Sequence, residues 1–120
     1  MSVSIVLDLP PFDTGQYEGC DFKMFDGEAT LTLRVTDMPL LSIRFNKVRW
    51  HQFTALYNCT PQMIKDAYFR LVVYRNSSAV ATFIEQDSSS CKAYSELNHY
   101  RIFLDETGCH EVFAESATTL

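Results

Sequence analysis

The chain has 120 residues, 13.8 kDa, 47% hydrophobic and 21% charged. This is the composition of one folded domain, and it excludes a mostly disordered chain. A formal net charge of −5 argues against a protein that coats nucleic acid.

In chain order, Val3, Ile5, Leu7 and Leu9 alternate with Ser2, Ser4, Val6 and Asp8, which predicts a half-buried strand stopped at Pro10-Pro11. No basic-then-apolar signal precedes it, and no uncharged apolar run approaches the ~18 residues of a membrane span. A cytoplasmic location and no membrane partner are expected. Residues 12–27 show no period and read as a long acidic loop punctuated by Gly15, Gly19 and Gly27.

Ala29, Leu31, Leu33 and Val35, then Leu41, Ile43 and Phe45, alternate on either side of Asp37-Met38-Pro39. They predict an antiparallel hairpin with Val35 opposite Leu41, Leu33 opposite Ile43 and Leu31 opposite Phe45. Val48–Cys59 fits neither period. Thr60-Pro61 reads as an N-cap with proline at the first helical position, opening a short helix to about Ala67.

Phe69, Leu71 and Val73 mark a strand whose other face, Tyr68, Val72 and Tyr74, is also apolar, so it should be central. Ser77 or Ser78 caps a helix over 78–86, although Val80–Ile84 also suits a strand. Asp87–Ser90 reads as a loop. The last hairpin turns at Glu106-Thr107-Gly108 with Gly108 left-handed, pairing Asp105 with Cys109, Ile102 with Val112 and Tyr100 with Ala114. Tyr100, Ile102, Leu104, Val112 and Ala114 then face inward, and His99, Arg101, Phe103, Glu111, Phe113 and Glu115 outward. Residues 116–120 read as a flexible tail.

The fold expected is α+β: a single domain over 1–120, with a largely antiparallel sheet of five to seven strands and one or two short helices. Cys20, Cys59, Cys91 and Cys109 include no C-x-x-C pair and read as free thiols. Cys109 and His110 point to opposite faces of a strand, and His99 lies far from His110, so no metal centre is expected. The glycines fit neither G-x-G-x-x-G nor a P-loop, and no nucleophile elbow accompanies the cysteines. The expectation is therefore no catalytic residue and no cofactor.

The charges are segregated. Residues 1–28 hold six acids against Lys23, 29–75 seven bases against Asp37 and Asp66, and 76–120 seven acids against Lys92 and Arg101. The acidic loop sets rings beside carboxylates, a pattern suited to a basic protein partner: rings supply buried area and carboxylates supply steering. The expected contact residues there are Asp13, Tyr17, Glu18, Asp21, Phe22, Phe25 and Asp26. Alternatively, the loop packs on its own domain and covers Arg34, Arg44 and Lys47. Arg101, Phe103, Glu111 and Phe113 form a second expected contact face, unless the 78–86 helix covers it.

From about Phe69 onward the chain resembles small bacterial immunity proteins of polymorphic toxin systems. The resemblance rests on His99-Tyr100-Arg101-Ile102, Asp105-Glu106, Gly108-Cys109 and Glu111-Val112-Phe113-Ala114. It implies a cytoplasmic single-domain inhibitor that blocks one cognate toxin, often a basic nuclease, and it carries no site residue across. Two other readings stand beside it. One is a homodimer paired through the last hairpin's outer face. The other is a small nucleic-acid module using Arg34, Arg44, Lys47 and Arg49, with Trp50, Tyr57 and Tyr74 to stack bases.

Overall fold

A computed structural model describes residues 2–87 and 96–120; the expected loop at 88–90 and Cys91 lie outside the described residues. Among the described residues the chain runs β1 (Ser2–Asp8), β2 (Tyr17–Phe25), β3 (Glu28–Val35), β4 (Leu41–Asn46), β5 (Trp50–Ala55), α1 (Pro61–Ala67) and β6 (Arg70–Arg75). It continues through α2 (Ser78–Gln86), β7 (Asn98–Leu104), β8 (Gly108–Ala114) and β9 (Ser116–Thr119). The α+β class with antiparallel pairing holds. The strands among the described residues number nine and divide into two sheets, ordered β1-β6-β7-β8-β5 and β2-β3-β4-β9.

The sheets pack face to face. Leu31, Leu33, Ile43 and Phe45 from one meet Leu71, Ile102, Leu104 and Val112 from the other, all fully buried. The opposite face of the five-stranded sheet carries α1, with Val72, Tyr74, Phe103 and Cys109 buried around Ala67. β6 is apolar on both faces because it has a sheet below and a helix above. The helix starts follow local chemistry: Thr60 Oγ1 accepts from the Met63 N–H, and Ser77 Oγ from the Val80 N–H.

Several expectations need correcting. Residues 12–27 are not a long loop. Asp13 caps a 3-10 turn at Thr14–Gln16, and β2 then pairs with β3 through a tight turn in which Asp26 and Gly27 are both left-handed, φ 53° and 77°. A bulge at Glu18, with Gly19 at φ 116°, breaks the period. Residues 116–120 are not a tail: β9 pairs with β4, and Asn46 Nδ2 donates to Ser116 Oγ.

Both expected hairpins form with the expected faces but with pairing moved by two residues. Leu33 faces Leu41 and Leu31 faces Ile43, because the chain turns at 36–38 and Pro39 has no N–H for the ladder. In the last hairpin Ile102 faces His110 and Tyr100 faces Val112. Glu106 (φ 66°) takes the left-handed position assigned to Gly108. Gly108 instead allows close approach: a Cβ there would stand 2.2 Å from the Thr54 carbonyl oxygen.

β1 is a strand, but its apolar row is split. A bulge between Ile5 and Leu7 sends Val3 and Ile5 opposite Tyr74 and Val72, on the helix side, and Leu7 opposite Leu71, toward the core. As the sheet's edge strand it leaves Val3, Ile5 and Val6 exposed.

Candidate functional site

On the outer face of the β7–β8 hairpin both expected contact rings are covered by other parts of the chain. Phe103 lies under α1, and Phe113 is stacked on Trp50 of β5 at 4.3 Å and met edge-on by Phe83 of α2 at 5.5 Å. Both rings are buried, as is Glu111. Phe103 and Phe113 are therefore not exposed to serve a homodimer paired through this face.

Between α2 and β5 this face opens as a groove of about 530 Å³. Its floor is polar: Arg101, Glu111 and His99. Glu111 Oε1 accepts from Arg101 Nε at 3.0 Å, Arg101 Nη2 at 2.7 Å and His99 Nε2 at 2.9 Å. A carboxylate only accepts, so His99 Nε2 carries a proton. Arg101 Nη1 donates to the Tyr74 hydroxyl at 2.8 Å, its guanidinium lies over the Tyr74 ring, and Tyr74 donates to Asp66 of α1.

Burial alone raises the Glu111 carboxyl, but the hydrogen bonds from His99 and Arg101 and the guanidinium charge outweigh it and hold Glu111 below its ordinary value. Burial works against the Arg101 charge, and Glu111 overcomes that too. Burial pushes the Tyr74 hydroxyl up to about 12.

Ser77 Oγ lies 2.8 Å from His99 Nδ1, so Ser77, His99 and Glu111 stand in a hydrogen-bonded line. The serine is buried and its oxygen already accepts the Val80 N–H as the α2 cap. Glu111 is already held by Arg101. In this arrangement the line fastens the start of α2 to the sheet.

A second cluster sits where the sheets meet at β2 and β5. His51 and His110 share a hydrogen bond, Nε2 to Nδ1 at 3.1 Å, and Phe22 stacks on both rings. Cys20 Sγ lies 3.9 Å from His110 Nε2. Burial and the neighbouring imidazole depress His110 to about 4, and burial lowers His51. A ring that resists protonation is a poor base for the thiol. Cys20 and His51 meet opposite nitrogens of the His110 ring, so one ion cannot bind all three. Among the described residues no group of three or more His, Cys, Asp or Glu side chains is arranged to hold a metal ion.

The first set of expected contacts divides. Tyr17 is in the core, its hydroxyl 2.8 Å from Thr107 Oγ1, and Phe22 is half-buried under the histidines. Asp13 is exposed but engaged as a cap, and Asp21 pairs with Arg34. Glu18, Phe25 and Asp26 are in solvent. Covering of the basic middle by the acids of residues 12–27 is therefore partial, since Lys47 pairs with Glu115 instead. Arg34 and Arg44 lie on the four-stranded sheet's outer face, whereas Trp50 and Tyr74 lie on the helix side of the other sheet, so these two arginines and these two rings do not share one surface.

Sequence reasoning missed Trp50, Gln52 and Phe83 as groove residues, because only the sheet order and the packing of α2 bring them to Arg101 and Glu111; His99 it placed on the right face without a role. It also missed the β2–β3 hairpin, which the Asp26-Gly27 pair beside Cys20, Phe22 and Met24 signals. No described helix is long and apolar enough to cross a membrane. Comparison with protein-family models, curated proteins and solved structures returns no match.

Proposed function

We propose that the protein is a protein-binding inhibitor of the immunity type, meeting a basic partner with the tip of the β2–β3 hairpin. The observation that carries this reading is Phe25, 76% exposed at a two-residue turn, with Met24 beside it at 48%. Fully burying a phenylalanine contributes about 2–3 kcal/mol, so this ring is an anchor in waiting. Asp26 and Glu28 flank it, and Glu18 adds a further carboxylate on the same strand. A ring set among acids suits the cleft of a basic enzyme, where the carboxylates steer encounter and the hairpin blocks entry.

Co-expression with the product of the adjoining reading frame tests this. The wild-type chain should relieve that protein's toxicity and form a salt-sensitive complex with it. Phe25→Ser with Asp26→Asn should lose both while remaining folded. Equal relief by the variant, or no complex with the wild type, would overturn the reading.

Homodimerisation keeps one specific observation in its favour, now on β1, whose free edge exposes Val3, Ile5 and Val6. Gel filtration across a range of concentrations decides it: a dimer that Ile5→Lys converts to monomer supports pairing at this edge, and a concentration-independent monomer removes it.

A further inference from the structure

We infer that the groove between α2 and β5 binds an uncharged planar ring whose edge carries amide-like donors and acceptors, the chemistry of an aromatic amide or a nucleobase. The inference does not depend on the hairpin reading, which uses a different surface.

Three properties of the groove select this class. Its volume, about 530 Å³, lies within the range of small-molecule sites. Aromatic rings flank it: Trp50 of β5 and Phe83 of α2 are joined by ring contacts through the buried Phe113. Flat rings stack or meet edge-on against such walls at little conformational cost. Gln52 of β5 and Gln86 and Thr82 of α2 add uncharged, exposed donors and acceptors around the opening.

The floor excludes charge. Arg101 and Glu111 neutralise one another, and three of the five guanidinium N–H groups are used on Glu111 and Tyr74. An ion of either sign entering the groove would face a floor with no net charge from this pair, its nearest opposite charge already paired. Either would lose its hydration for no matching contact. A dipolar neutral ring avoids that cost. The floor is also rigid before any ligand arrives, because His99 is tied to Ser77 and Arg101 to Tyr74.

The single tryptophan of the chain lines the groove, so its fluorescence reports occupancy. Benzamide and adenine should change Trp50 emission saturably, with midpoints near or below about 1 mM for ligands of roughly ten heavy atoms. Benzoate and benzylamine, of the same shape but charged, should bind at least about tenfold more weakly.

Ala79→Phe fills the groove from an exposed helical position. It should abolish the saturable change, with circular dichroism and toxin relief retained. Saturation-transfer NMR on the benzamide protons gives a readout independent of tryptophan. Non-saturating quenching equal in wild type and Ala79→Phe would overturn the site, and benzoate binding as tightly as benzamide would overturn the ligand class. Absence of toxin relief by the wild-type chain, with benzamide binding intact, would strike the hairpin reading and leave this one standing.

Discussion

Arg101 and Glu111 face each other across the β7–β8 hairpin, and the guanidinium reaches a single carboxylate oxygen through both Nε and Nη2. That oxygen also accepts the His99 Nε2–H hydrogen bond, so removing the carboxylate leaves three N–H donors, on two side chains, without their acceptor. Glu111→Ala should destabilise the protein by about 3–5 kcal/mol. Arg101→Met combined with Glu111→Leu should recover much of the loss, because it removes both charges together. Urea midpoints of the three chains check this.

Acidification should weaken the fold through His110 before it reaches Glu111. The folded-state value of His110, about 4, lies below its unfolded value near 6.5. The unfolded chain therefore binds this proton first as pH falls. The contribution is intact above about pH 6.5 and is lost on descent toward 4, amounting to up to about 3 kcal/mol. His51 shifts in the same direction. The lowered Glu111 carboxyl acts in a more acidic window, its stabilisation being lost only below its ordinary value. Urea unfolding at pH 7.5, 5.5 and 4.5 should show the decline, and His110→Gln should flatten its upper part.

Gly108 and Gly27 should respond differently to alanine, although both have positive φ. At Gly108 the added carbon would meet the Thr54 carbonyl at 2.2 Å, within the β5–β8 ladder. Gly108→Ala should cost about 3 kcal/mol or more, or prevent folding. At Gly27 nothing stands within 4 Å of the added carbon, so Gly27→Ala should cost about 1 kcal/mol from backbone strain alone. Thermal melts of both variants test the contrast.

The thiols should label in an order set by burial. Cys109 is fully buried, and that burial raises its pKa to about 12. In a Cys91→Ser background, iodoacetamide should reach Cys20 and Cys59 in the folded protein and modify Cys109 only on unfolding. Mass spectrometry of the digested adduct gives the order.

What could be read from the sequence follows how each segment is buried. β3, β4, β7 and β8 each bury a full row of side chains, so their period of two shows plainly. Their register does not show, because moving a pair by two residues keeps every side chain on its face. β5 is an edge strand with His51 on one face and Gln52 on the other, which hides its period. β2 was hidden by the bulge at Glu18 and by acids that suggest a loop. Of the groove, Arg101, Glu111 and Phe113 are legible as one face of a hairpin. Trp50 and Phe83 join them only through strand order and helix packing.

β5 makes the groove and the histidine pair depend on one alignment. Trp50 and Gln52 point to the helix side while His51 and Phe53 point between the sheets, opposite Val112 and His110. One residue inserted between Arg49 and Trp50, with the rest of the ladder kept, would invert both at once: imidazole would enter the aromatic wall and indole the space beneath Phe22. Natural length variation in this protein should therefore collect in its turns and avoid the short passage from Asn46 to Trp50.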